Sequence, residues 1–102
     1  MNHKLITFII DDEPDAVDFI SSIILEYCPD LEVAGKAYNI KDGVSLINEI
    51  KPDLVFLDVE MPNGTGFDLL SHFPKKNFDV VFITAFNHYA IQAIKFSAVD
   101  YI

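Results

Sequence analysis

Short runs of β-branched and aromatic residues recur along this chain, and each stops abruptly at an acid or a hydroxyl: Leu5-Ile6-Thr7-Phe8-Ile9-Ile10 before Asp11, Leu54-Val55-Phe56-Leu57 before Asp58, and Val80-Val81-Phe82-Ile83 before Thr84. Continuous apolar runs of this length are the pattern of strands covered on both faces. Between them the period changes. Ala16, Val17, Ile20, Ile23, Ile24 and Tyr27 recur at helical spacing behind Pro14, which suits a first helical turn because its missing N–H has no partner there. Ile40, Val44, Ile47 and Ile50 form a second such stripe, with Asn39 as the expected N-cap and Lys51-Pro52 as the stop. Leu31 to Ala37 alternates as a strand, Leu69-Leu70 faces inward from a short helix over 66–72, residues 88–96 read as a helix, and 99–102 begins a fifth strand.

Strands alternating with helices predict an α/β domain of three layers, with a doubly wound parallel sheet and right-handed crossovers. At 102 residues the chain accommodates one such domain. Ligands of open parallel sheets lie beyond the carboxyl ends of the strands. Asp11, Asp12, Asp58 and Thr84 all stand there, so three carboxylates and a hydroxyl are expected to converge. Clustered carboxylates raise one another's pKa unless a cation holds them. Oxygen ligands without a nearby His or Cys favour magnesium. A carboxylate beside that ion can act as a nucleophile toward a phosphoryl group, with Thr84 donating to one of its oxygens.

Other classes are disfavoured. Sixteen acids against seven lysines and no arginine give a formal net charge of -9, leaving no basic patch to follow a nucleic-acid backbone. No apolar stretch is long enough to cross a bilayer, the start lacks a secretory pattern, and the single Cys28 cannot form an internal disulfide, so a cytoplasmic location is expected. His72 and His88 lie away from the strand ends and read as surface histidines; Gly64-Thr65-Gly66 lacks the lysine and spacing of a P-loop and reads as a turn.

Ile9-Ile10-Asp11-Asp12-Glu13-Pro14, Leu57-Asp58-Val59-Glu60-Met61-Pro62 with Gly66 eight residues after the aspartate, Phe82-Ile83-Thr84-Ala85 and Asp100-Tyr101-Ile102 together resemble the receiver domain of two-component response regulators. The resemblance implies a flavodoxin-like strand order 2-1-3-4-5 and one receiver domain over 1–102. It also implies phosphorylation on Asp58 by a phosphohistidine of a sensor histidine kinase. Asp12, Asp58 and the backbone carbonyl of Glu60 would then contact Mg2+, with Asp11 acting largely through water, and Thr84 and Tyr101 would form a switch pair. The segments 84–90 and 98–101 are most similar to receivers of LytTR-type regulators, which implies transcription regulation in the parent protein. Receivers also carry a lysine, a proline and a fifth helix after the switch aromatic. None follows Tyr101 here, so an incomplete domain and slow phosphorylation are expected. Ala90, Ile91, Ala93, Ile94 and Phe96 leave the helix over 89–96 apolar on more than one side, so it and the fifth strand are expected to form a homodimer face. The alternatives are a receiver-like interaction module that is not efficiently phosphorylated and a phosphohydrolase of the haloacid dehalogenase type. The second would need an aspartate where Glu60 stands.

Overall fold

The computed structural model describes residues 4–61 and 64–83 and the backbone of Asp100 and Tyr101. The elements run β1 (Leu5–Ile10), α1 (Pro14–Tyr27), β2 (Leu31–Ala37), α2 (Ile40–Ile50), β3 (Leu54–Asp58), β4 (Glu60–Met61), β5 (Gly64–Thr65), α3 (Gly66–Leu70), β6 (Asp79–Ile83) and β7 (Asp100–Tyr101). The main sheet has the order β2-β1-β3-β6-β7, and all its pairs are parallel. Counting main-sheet strands alone, this is the expected order 2-1-3-4-5. The helix expected over 88–96, with His88, lies outside the described residues.

Alternation along each strand divides the apolar side chains between two cores. Phe8, Ile10, Val55, Leu57, Val80 and Phe82 face α2 and α3, where Ile47, Leu69 and Leu70 meet them. Ile9 and Phe56 face the other way, against Val17 and Ile24 of α1, with Val81 and Ile83 at the margin. The continuous apolar runs are thus two interleaved faces of one buried sheet. Asn39 caps α2 as expected, its side chain accepting from the Asp42 amide at 2.8 Å.

Three details depart from the sequence pattern. The helical stripes are wider than the surface that covers them: Ile23, Tyr27 and Ile50 are 38%, 71% and 43% exposed. Strand β2 alternates in exposure but changes the side its inward residues face, because its pairing with β1 steps from Thr7–Val33 to Phe8–Gly35 and leaves Ala34 as an extra residue. Leu31 and Val33 therefore join the α1 side, whereas Ala37 joins the α2 side. The Gly64-Thr65-Gly66 segment, expected as a turn, supplies one strand of the antiparallel pair β4–β5, with Glu60 opposite Thr65 and Met61 opposite Gly64. Among the described residues no helix is long and apolar enough to cross a membrane.

Candidate functional site

Parallel register sets the site. Ile10 is opposite Leu57 across the β1–β3 pair, so Asp11 and Asp58, one residue further on each strand, emerge side by side. Asp11 is only 5% exposed; its amide donates to the Ala37 carbonyl at 3.1 Å, and its Oδ1 accepts from the Glu13 amide at 3.0 Å. That second bond turns the chain out of β1 and into the first turn of α1 at Pro14. Asp12 and Asp58 are half-buried. One carboxylate oxygen from each of Asp11, Asp12 and Asp58 lies within 4.8 Å of the others.

Such proximity in a dry setting is costly for charge. The Asp58 carboxyl is pushed up to about 8, first by burial, then by the charge of Asp11 and by the hydrogen bond and charge of Asp12; the Glu60 amide, donating to it, offsets part of this. Asp11 is also raised, again mainly by burial, with the Glu13 amide opposing. Two carboxyls raised together, at a strand end, form a donor set that suits a hard divalent cation, which would hold all three ionised at neutral pH.

The segment beyond Asp58 is held by backbone contacts. The Val59 amide donates to the Ile83 carbonyl at 3.2 Å, and the Gly66 amide to the Val59 carbonyl at 2.7 Å. A Cβ on Gly66 would fall 2.5 Å from the Asp58 carbonyl oxygen and 3.0 Å from Leu57, so only glycine lets α3 start this close to β3. Gly64 has φ +151°, and a Cβ there would meet Ile40 at 2.6 Å. Thr65 and Asp68 close a reciprocal capping box at the start of α3, with the Thr65 amide donating to Asp68 at 2.8 Å and the Asp68 amide to Thr65 at 3.2 Å.

The expected residues fall as follows. Asp11, Asp12 and Asp58 converge. Glu60 follows on β4 with its side chain exposed, which fits a role for its backbone rather than its carboxylate. Thr84 lies outside the described residues; it is the next residue after Ile83, which ends β6. The Tyr101 backbone pairs with Phe82 on β7, and its side chain lies outside the described residues. His72 is exposed, its Nδ1 3.1 Å from the Asp68 carbonyl, away from the acids in the chain's order and in its contacts. The Thr65-x-x-Asp68 spacing before Leu69-Leu70 is the sequence signal of the capping box, and it carries no signal for the β4–β5 pair.

The family model for the response regulator receiver domain matches residues 7–102. The chain belongs to the receiver-domain family. A response regulatory protein of Vibrio vulnificus is 43% identical over 99 residues, covering 96% of this chain and 40% of that protein. The transcriptional regulatory protein BtsR of Escherichia coli is 35% identical over 95 residues, covering 92% and 39%. Among solved structures, the response regulator domain of Thermotoga maritima CheB superposes with a TM-score of 0.81 at 28% identity, over 98% of this chain and 78% of that one. The receiver chain thus spans about two-fifths of the length of these curated relatives. It is a signalling module of two-component response regulators rather than a conventional enzyme.

Proposed function

We propose that this receiver accepts a phosphoryl group on Asp58 from a phosphohistidine of a sensor kinase, with Mg2+ held by Asp11, Asp12, Asp58 and the backbone carbonyl of Glu60. The observation that carries the reading is the convergence of three carboxylates at adjacent strand ends, with the acceptor the most strongly raised. An Asp58 oxygen attacks phosphorus as the bond to the donor imidazole nitrogen breaks, and that nitrogen keeps the electron pair. Bound Mg2+ would neutralise charge on the transferring oxygens. Asp58 must be ionised to attack, so the neighbours that raise it also make the cation necessary near neutral pH. Asp11, pinned by the Glu13 amide, and the Val59–Ile83 bond fix the cluster before a donor arrives. Thr84 would donate to a phosphoryl oxygen, and Tyr101 would turn inward as the second member of the switch pair.

Residues 1–102 act in this reading as one cytoplasmic receiver unit whose parent is a LytTR-type transcription regulator. The apolar helix over 89–96 and the fifth strand would form its homodimer face. Incubation with acetyl phosphate and magnesium, followed by intact-mass spectrometry, should show one added phosphoryl group in the wild type and none in Asp58→Asn. Equal modification of the two proteins would remove Asp58 as acceptor. Light scattering at high micromolar concentration tests the dimer; a strictly monomeric species counts against it.

A further inference from the structure

We propose that a pocket at the opposite end of the sheet from Asp58 binds a small oxyanion, a phosphate or carboxylate group, between Lys51 and Lys75. The pocket has a volume of about 90 Å³ and lies where α2 ends and the segment after α3 leads into β6. Phe73 and Phe78 line it, in edge-to-face contact with centroids 5.7 Å apart, together with the buried Pro52. Asn48, Lys51, Lys75 and Asn77 supply its polar lining, and no acid lines it. On a chain of net charge -9, two cations and two carboxamides around one concavity are an electrostatic exception.

Lys51 supplies an independent observation. It is the one non-glycine residue with positive φ among the described residues, at φ 56° and ψ 86° on the C-cap of α2. Glycine or asparagine is the usual choice for that conformation. The helix dipole explains a cation at this helix end, but it accounts neither for Lys75 on a different segment nor for the two carboxamides beside it. A lysine at a position suited to glycine, lining one pocket with a second lysine, is what a ligand that needs both charges would use. The aromatic lining suits an anion carried on a short apolar stem, and two ammonium groups with two amide donors match the acceptors of one oxyanion.

The test is a titration of the 15N-labelled protein in magnesium-free buffer with inorganic phosphate, with acetate, and with a short glutamate-rich peptide, each against sodium chloride at equal ionic strength. Saturable amide shifts confined to residues 47–51, 73 and 75–78 are expected. They should be about tenfold weaker in Lys51→Gly and in Lys75→Gln, the loss of one charge-assisted hydrogen bond each. Lys51→Gly should hold or raise the melting temperature while losing the anion, which separates binding from folding. A peptide tighter than acetate identifies a protein partner as the source, and parity identifies a free anion; both support the site. Shifts that match those in chloride, or that persist in both variants, overturn it. The outcome does not depend on the acceptor reading, since neither variant touches the acid cluster.

Discussion

Replacing Asp58 by asparagine removes a charge that the fold tolerates poorly, so in the absence of a divalent cation it should stabilise the protein, and only above acidic pH. Below pH 3.8 the carboxyl is protonated in both folded and unfolded chains and contributes nothing. As pH rises from there, the unfolded chain ionises while the folded one, whose Asp58 carboxyl stands at about 8, holds its proton. The unfolded state then binds fewer protons, and stability falls with pH until the folded carboxyl ionises too. At about 1.4 kcal/mol per pH unit, the roughly three units up to pH 7 set an upper limit of about 4 kcal/mol. Asp58 is half-exposed and water screens it, which reduces the expected penalty to about 2 kcal/mol. For a domain of this size that corresponds to roughly 8–16 °C in melting temperature. Thermal melts in EDTA from pH 4 to 8 should therefore show wild type and Asp58→Asn converging at pH 4 and separating toward pH 8, with the asparagine protein the more stable. A constant difference across that range, or a less stable variant at pH 8, would refute the assignment of charge strain to Asp58.

Millimolar magnesium should raise the wild-type melting temperature at pH 7 to 8 and leave Asp58→Asn nearly unmoved, because stabilisation follows affinity for the folded site; equal shifts would dissociate the metal from the acid cluster. Gly66→Ala should cost about 1–3 kcal/mol by pushing α3 off the Asp58 carbonyl, and should weaken magnesium binding as well, read by calorimetry. Asn39→Ala should cost about 1 kcal/mol through the lost cap on α2, with phosphorylation by acetyl phosphate unchanged. Leu69→Ala, fully buried between α3 and the sheet, should cost about 2–5 kcal/mol; a chemical denaturation midpoint within error of wild type would contradict the packing described.

The parts of the fold set by short-range chemistry were legible in the sequence. Pro14 and Asn39 mark helix starts because an imide and a carboxamide act within a turn of where they stand. The strand ends are visible because apolar runs stop where the sheet emerges from cover. Placing Asp11 beside Asp58 needed one further step, the rule for parallel sheets, and the register of β1 on β3 bears it out. What escaped depends on residues distant in sequence. Strict alternation would send Ala37 to the same side as Leu31 and Val33, but the extra residue at Ala34 turns Lys36 toward α1, 3.8 Å from Asp18, and Ala37 into the opposite core. The exposed Ile23 and Tyr27 fit the period of α1 as well as Val17 does, because periodicity gives the direction of a face and not the width of what covers it. The β4–β5 pair sets Gly64 so near Ile40 that a Cβ there would fall 2.6 Å from it, a restriction imposed by a residue distant in sequence.

The charge state of the site belongs to the same class. Each aspartate alone reads as an ordinary surface acid, and only burial beside the other two lifts Asp58 to about 8. The two apolar cores must therefore supply the free energy that holds three carboxylates together. That expenditure leaves the cluster ready to take up a cation. On the proposed acceptor role, metal binding and ionisation of Asp58 would be a single linked event, and the pH at which Asp58 becomes reactive should move downward as magnesium is raised. Rates of phosphorylation by acetyl phosphate, measured against pH at several magnesium concentrations, should show a midpoint that shifts to lower pH with each increment. A midpoint independent of magnesium would mean that Asp58 ionises without the cation and that the cluster's strain has no part in the reaction.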